Sequence, residues 1–140
     1  MASKVLISTT MTWAAPARLA GAFAACGAII EALAPRRHPV GASQALSRLH
    51  SYRPLQALSS LREVLEESLP DLIVPCDDRA VRHLVALAKK DARFTELIAR
   101  SIGRLDGYDT LLSRSSFLKE TEQLGIEIPA TMEVATEADL

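Results

Sequence analysis

The sequence has few aromatic residues, two cysteines and almost no net charge. Aromatic residues make up 4% of the 140 residues, and the formal net charge is −1. This balance argues against a dedicated nucleic-acid binder or a membrane-surface protein, so we expect neither partner. Cys26 and Cys76 are too few for a disulfide framework, and the three histidines lack metal-ligand spacing. We therefore expect no metal site, two buried reduced thiols and a cytoplasmic protein.

Long apolar runs and a glycine-rich loop are also absent. The longest uncharged apolar run, residues 19–30, is shorter than the roughly 20 residues that a transmembrane helix needs. The first apolar segment is followed by Ser and Thr, which does not fit a signal peptide. No G-x-G-x-x-G motif is present, so close approach of the backbone to a pyrophosphate is not supported.

Three short apolar segments alternate with helical patterns. Residues 4–9, 28–33 and 71–75 lack polar alternation and predict buried parallel strands. The spacing of apolar residues predicts a helix from about residue 13–16 to 26 and another from 54 to 68. A third helix should follow residue 77 or 78, either of which can cap it, and a fourth should begin near residue 91. In the first helix we expect Leu19, Phe23 and Cys26 to face inward. This order predicts an α/β fold with a Rossmann-like parallel sheet and helices on both faces, followed by a short helical linker.

Residues 35–54 are rich in proline and basic side chains, and there we predict only a short helical turn around residues 44–49. The basic side chains could attract an anionic substrate or a triphosphate, but a flexible solvated loop is the simpler interpretation. They are Arg36, Arg37, His38, Arg48, His50 and Arg53. His83 falls off the apolar stripe of its helix, so we expect it to be exposed.

The last third of the chain has a different character. We predict a short helix over residues 108–112 and a second helix that is capped by Ser113 and ends at Gly125. A short strand around residues 132–134 and a first helical turn over 136–140 follow. Because the pattern stops as a helix begins, we expect the natural protein to continue.

This stretch resembles a known family. Residues 113–118 (Ser-Arg-Ser-Ser-Phe-Leu) lead to residues 124–131 (Leu-Gly-Ile-Glu-Ile-Pro-Ala-Thr). The pair is similar to the junction of ATP-grasp enzymes, usually Asp-Lys-x-x-aromatic, a spacer, then Gly-Ile/Val-x-x-Pro-x-Thr. Residues 71–78 and 5–9 look like that superfamily's third strand with its loop and its first strand. The resemblance covers essentially the whole chain. It implies a pre-ATP-grasp domain over residues 1–106, then a linker and the start of the ATP-grasp domain over 107–140.

The resemblance also implies a chemistry. ATP-grasp ligases use ATP and Mg²⁺ to activate a carboxylate as an acyl phosphate, which an amine or similar nucleophile then attacks. Positioning and charge neutralisation dominate such phosphoryl transfer. The nucleotide lobes and the acidic Mg²⁺ ligands follow this domain in the family. We therefore expect this chain to bind no cofactor and to be inactive alone, with its own C-terminal ATP-grasp domain as partner and a small carboxylate as substrate.

One departure concerns the phosphate-contacting lysine of many family members, in whose place this chain has Arg114, with Ser113 replacing the usual aspartate. Arginine keeps the charge but changes the contact geometry, so Arg114 is a candidate nucleotide contact in the full-length protein. In this chain alone, a surface arginine is the simpler interpretation.

Two loops follow strands at the edge where ligands bind parallel sheets. The hydroxyls of Thr9, Thr10 and Thr12 could hold a carboxylate or phosphate, although capping of the first helix by Thr12 is simpler. In the second loop, Asp77 or Asp78 could bind a substrate amine while the other caps the next helix. Cys76 beside them has no base at recognisable spacing, which favours an inert thiol over a nucleophile.

Two rivals stay open. One is a stand-alone Rossmann-like or flavodoxin-like module that binds a small molecule without ATP chemistry, and the other is a degenerate ATP-grasp scaffold. Homodimerisation through an exposed sheet edge is also open.

Overall fold

A computed structural model describes residues 2–132, 134 and 136. The chain divides into two compact units, residues 1–105 and residues 106–140. The described residues of the first unit form four strands and four α-helices: β1 (Lys4–Ser8), α1 (Ala15–Ala25), β2 (Ile29–Ala34), β3 (Leu46–Ser51), α2 (Ala57–Ser68), β4 (Leu72–Pro75), α3 (Asp78–Lys90) and α4 (Thr95–Ile102).

All four strands are parallel and lie in the order β3-β2-β1-β4. β1 is central and pairs with β2 from Lys4↔Ile29 to Ser8↔Leu33. On its other side β1 pairs with β4 from Val5↔Leu72 to Ser8↔Pro75. The fold is α/β with a Rossmann-like three-layer arrangement, as the sequence predicts.

The residues of β1 alternate between two cores, one on each face of the sheet. Leu6 packs with the apolar sides of α2, α3 and α4, and it is fully buried. Val5 and Ile7 point the other way and pack with α1. Since successive side chains of a strand point to opposite faces, a strand buried on both sides needs a continuous apolar run. The segment Val5-Leu6-Ile7 meets that need.

Helix α1 packs against the sheet through small residues. Pro16 and Ala20 are its buried residues, and Ala32 and Ala34 lie opposite in the same core. Of the two larger residues, Phe23 is half-buried against the same core and Leu19 is exposed. The predicted inward stripe is therefore wrong in part, because Leu19 and Cys26 are exposed while Phe23 is half-buried.

Strand β3 corrects the sequence prediction of a helical turn at residues 44–49. Residues 46–51 instead pair with β2 in parallel, and the connection between the strands contains only a 3-10 turn, Pro39–Ala42. As an outer strand, β3 is mostly exposed and lacks the apolar run of a central strand. Its one buried residue is His50, whose Nε2 lies 2.7 Å from Oε2 of the buried Glu31 on β2.

The opposite edge of the sheet, β4, is covered by α4. The backbone N–H of Ile73 donates to Oγ of Ser101 at 2.9 Å, so a side chain satisfies an edge donor that no strand reaches. An edge donor that is already paired is not available to another strand.

The described residues of the second unit form two helices. These are α5 (Tyr108–Leu111) and α6 (Arg114–Gln123), and Oγ of Ser113 caps α6 by accepting from the N–H of Ser116 at 3.3 Å. The predicted cap is confirmed. Met132 and Val134 are not in a strand, and the predicted turn at 136–140 falls almost entirely outside the described residues. Among the described residues, no helix combines the length and hydropathy that crossing a membrane requires.

Candidate functional site

The order of the strands creates a crevice between β1 and β4. The chain leaves β1 towards α1, on one face of the sheet, and leaves β4 towards α3, on the other. In open parallel sheets the loops separate at such a point, and ligands bind there, at the carboxyl ends of the strands. The two loops singled out in the sequence, residues 9–13 and 75–79, meet at this point.

Asp77 joins the two loops. Its Oδ2 accepts from the N–H of Thr10 at 2.6 Å and from the hydroxyl of Thr9 at 3.0 Å. Its Oδ1 accepts from the hydroxyl of Thr10 at 2.7 Å and from the N–H of Ala80 at 2.9 Å, which caps α3. Burial acts to raise the pKa of Asp77, but the hydrogen bonds from Thr10, Ala80 and Thr9 outweigh it and lower the pKa. The carboxylate is thus ionised and occupied at neutral pH.

The three threonines have different environments. Thr9 is fully buried and Thr10 is half-buried, and both hydroxyls hold Asp77. Thr12 is exposed, and α1 begins at Ala15 with Ala14 as a cap that makes no side-chain hydrogen bond. The simpler interpretation of Thr12 as a helix cap is therefore wrong, because the helix starts later, next to Pro16.

A pocket of about 530 Å³ opens beside this junction, and it is lined by Met11, Trp13, Cys76, Asp77, Asp78, Arg79 and Arg82. Trp13 and Met11 are 46% and 60% exposed, so they present apolar surface to the pocket. Asp78 and Arg79 are exposed at the start of α3. The pocket can hold a ligand with an apolar part against Trp13 and charged groups against Arg79 and Asp78.

Cys76 lines the same pocket but is a poor nucleophile. Burial, together with the negative charge of Asp77, raises the pKa of its thiol to about 11. The reactive form of cysteine is the thiolate, which is scarce at neutral pH with such a pKa. The inert-thiol interpretation fits this environment, although Cys76 is half-buried rather than buried.

The structure disperses the basic residues of 35–54. Nδ1 of the buried His38 accepts from the N–H of Val40 at 3.0 Å, which leaves Nε2 as the donor to the carbonyl of Met11, also at 3.0 Å. Three others each lie beside a glutamate: Arg48 beside Glu67, His50 beside Glu31 and Arg53 beside Glu63. Of these basic residues, only the exposed Arg36 and Arg37 have no hydrogen bond or ion pair with a described side chain.

Sequence reasoning missed several residues at this edge. Trp13, Met11 and Arg82 line the pocket, and the ring of His83, expected to be exposed, is half-buried and stacks on Tyr52. Arg79 and Arg82 are one helical turn apart, shortly after the two aspartates. That spacing could have indicated that both side chains lie at this edge.

Arg114 belongs to a separate groove within residues 106–140. The groove has a volume of about 690 Å³ and is lined by Arg114, Ser115, Leu118, Lys119, Glu122, Ile128, Thr131 and Met132. Arg114 and Lys119 place two cations there. Within the part of the chain that the structure describes, no group of three or more His, Cys, Asp or Glu side chains could hold a metal ion.

Comparisons with protein-family models and with characterised proteins gave no match to this chain.

Proposed function

We propose that this chain is the N-terminal, substrate-side domain of an ATP-dependent ligase, which activates a carboxylate as an acyl phosphate and joins it to an amine or similar nucleophile. The pocket between the β1 and β4 loops supports this proposal most directly, since it lies where parallel sheets bind small molecules. The resemblance of residues 113–131 to the ATP-grasp junction supports the assignment of the reaction.

In this proposal the pocket residues have different roles in ligand binding. Arg79 supplies the cation for a substrate carboxylate, and Trp13 supplies an apolar surface. Of the two aspartates, Asp77 is committed to four hydrogen bonds, so Asp78 is the carboxylate that receives a substrate amine. Asp77 keeps the loops together and thereby positions the pocket.

ATP and Mg²⁺ would bind outside the pocket. The described residues provide no set of metal ligands, so in this proposal Mg²⁺ and the phosphoryl-transfer step belong to the lobes that follow in the family. Arg114, in its own groove with Lys119, is the residue of this chain that would contact the nucleotide phosphates.

Trp13 allows a direct test of ligand binding. It is the only tryptophan in the sequence and it lines the pocket, so its fluorescence reports on this site alone. We expect a saturable change on titration with amine-bearing carboxylic acids, weakened about tenfold or more in Arg79→Gln and Asp78→Asn because each loses a charge-assisted hydrogen bond. Arg36→Gln, at an exposed position that does not line the pocket, is the control. Equal responses from all variants would exclude the assigned roles.

One observation favours a second candidate, a small-molecule binding module that acts without ATP chemistry. The described residues that line the pocket all come from residues 1–105, so this unit supplies both charged and apolar groups for a ligand. Such a module would bind its ligand as tightly in this chain as in any longer product, and it would need no nucleotide.

A further inference from the structure

Two stacked rings lie at the same edge of the sheet, outside the pocket. Tyr52 directly follows β3, and its N–H donates to the carbonyl of Ala34, the last residue of β2, at 2.8 Å. His83 lies in the second turn of α3, and the two ring centroids are 5.9 Å apart with planes inclined by 28°. The stack therefore spans from the end of β3 to α3.

Both rings carry polar atoms that the protein does not use. Tyr52 is 6% exposed, yet its hydroxyl makes no hydrogen bond to any described residue and the oxygen is not sealed from solvent. The ring nitrogens of the half-buried His83 likewise have no hydrogen-bond partner in the described part of the chain. Both groups are therefore available to a ligand that approaches from solvent.

An unpaired cation, Arg79, lies beside the stack. Arg79 precedes His83 by one turn on α3, a spacing that places both on one helix face. Arg79 has no ion pair with a described residue, whereas the nearby Arg53 is held by Glu63 at 2.6 Å. The ionised carboxylate of Asp77 also faces this region, and the N–H and hydroxyl groups that donate to it offset part of its charge.

At neutral pH the cluster offers donors. Burial raises the pKa of Tyr52, which keeps its hydroxyl proton, and Arg79 partly opposes this effect. Burial, reinforced by Arg79, lowers the pKa of His83, so the ring is neutral and carries one N–H. A phenol, an imidazole N–H and a guanidinium together suit a group with several negatively charged oxygens.

We propose that Tyr52, His83 and Arg79 form an oxyanion-binding subsite that takes the carboxylate or phosphate group of a small molecule. The subsite shares Arg79 with the pocket lined by Trp13. It goes beyond the ligase proposal and does not depend on it, because anion binding here requires no nucleotide.

The three histidines provide the test. Their ring C–H signals are followed by proton NMR from about pH 5 to 8 in chloride, acetate and inorganic phosphate at equal ionic strength. We expect the midpoint of the His83 titration to rise by about one pH unit at saturating phosphate or acetate, because a bound anion favours imidazolium. His38 and His50, whose rings are engaged within the protein, serve as internal references. A response to phosphate alone or acetate alone identifies the group, and the same midpoint in all three anions overturns the proposal.

Two variants assign the shift to this cluster. Tyr52→Phe keeps the stacked ring and removes only the hydroxyl, and Arg79→Gln removes the cation. We expect each to reduce the anion-induced shift several-fold, while Arg18→Gln, at an exposed position of α1 on the opposite face of the sheet, leaves it intact. Unchanged His38 and His50 signals verify folding, and Tyr52→Phe decides the matter if Arg79→Gln does not fold. A full shift in both variants contradicts the subsite, whatever the outcome with Mg-ATP.

Discussion

Asp77 and Thr10 are joined by two hydrogen bonds, from the N–H of Thr10 at 2.6 Å and from its hydroxyl at 2.7 Å. These bonds connect the end of β4 to the end of β1, the point where the strand order of the sheet reverses. The same carboxylate caps α3 through Ala80. One side chain therefore fixes the two loops that border the pocket, and the geometry of the pocket depends on it.

This relationship predicts that Asp77→Asn destabilises the protein. Each carboxylate oxygen accepts from a backbone N–H, of Thr10 on one side and Ala80 on the other, so either orientation of the amide sets its NH₂ against an N–H. Leaving such a donor unsatisfied lowers the free energy of unfolding by about 1–3 kcal/mol. Urea denaturation measures the loss. The neighbouring exposed Asp78→Asn should stay within about 0.5 kcal/mol of the parent, and equal effects of the two changes would contradict the account.

Acid sensitivity should depend on Glu31. Burial acts to raise the pKa of this carboxyl, but the hydrogen bond with His50 and the charge of Lys4 outweigh it and lower the pKa. Its stabilising contribution is therefore complete above the ordinary value of about 4.3 and is lost as the pH falls through the lower folded-state pKa. We expect Glu31→Gln to flatten the acid side of the stability profile in urea denaturation. Glu96→Gln, on exposed α4 surface, is the matched control, and parallel acid profiles for parent and Glu31→Gln would refute the role.

The two thiols should differ in reactivity. Cys26 is exposed, whereas the pKa of the half-buried Cys76 is raised to about 11, which leaves about one thiolate per thousand molecules at pH 8. We expect a fast and a slow phase with a chromogenic disulfide reagent. Cys26→Ser should remove the fast phase and Cys76→Ser the slow one. Loss of the fast phase in Cys76→Ser would contradict the burial and the raised pKa of Cys76.

Replacing Leu69 with glycine should stabilise the protein. It follows α2 with φ +48°, in the left-handed region that suits glycine, and its side chain is 75% exposed. Relief of the Cβ strain outweighs the greater backbone entropy of glycine, so Leu69→Gly should raise the free energy of unfolding by about 0.5 kcal/mol. Leu69→Ala keeps the strain and serves as control. A glycine variant less stable than the alanine variant would be the contrary result in thermal or urea denaturation.

The sequence pattern predicted the central elements because their residues carry strong local signals. The apolar run Val5-Leu6-Ile7 indicates a buried strand, and an aspartate three residues before Ala80 indicates a helix cap, from patterns only a few residues long. Strand β3 was missed since its stability comes from pairing with β2 and from the contact between His50 and Glu31, which is distant in sequence. A mostly exposed edge strand has no apolar signature.

The candidate site was predictable only in outline. Both loops could be identified because they follow strands, but the sequence could not divide the two aspartates between structural and binding roles. That division depends on which carboxylate the hydroxyls of Thr9 and Thr10 reach. Tyr52 directly follows β3, so its stacking on His83 could not be predicted from a pattern that favours a helical turn at residues 44–49.

The most direct test of the ligase proposal is calorimetric titration of Mg-ATP into the 140-residue chain and into the full-length protein encoded by the gene. The proposal predicts no binding by the 140-residue chain and stoichiometric binding by a longer product that contains the nucleotide lobes. Tight, stoichiometric binding of Mg-ATP to the 140-residue chain alone would contradict it and would favour an independent binding module.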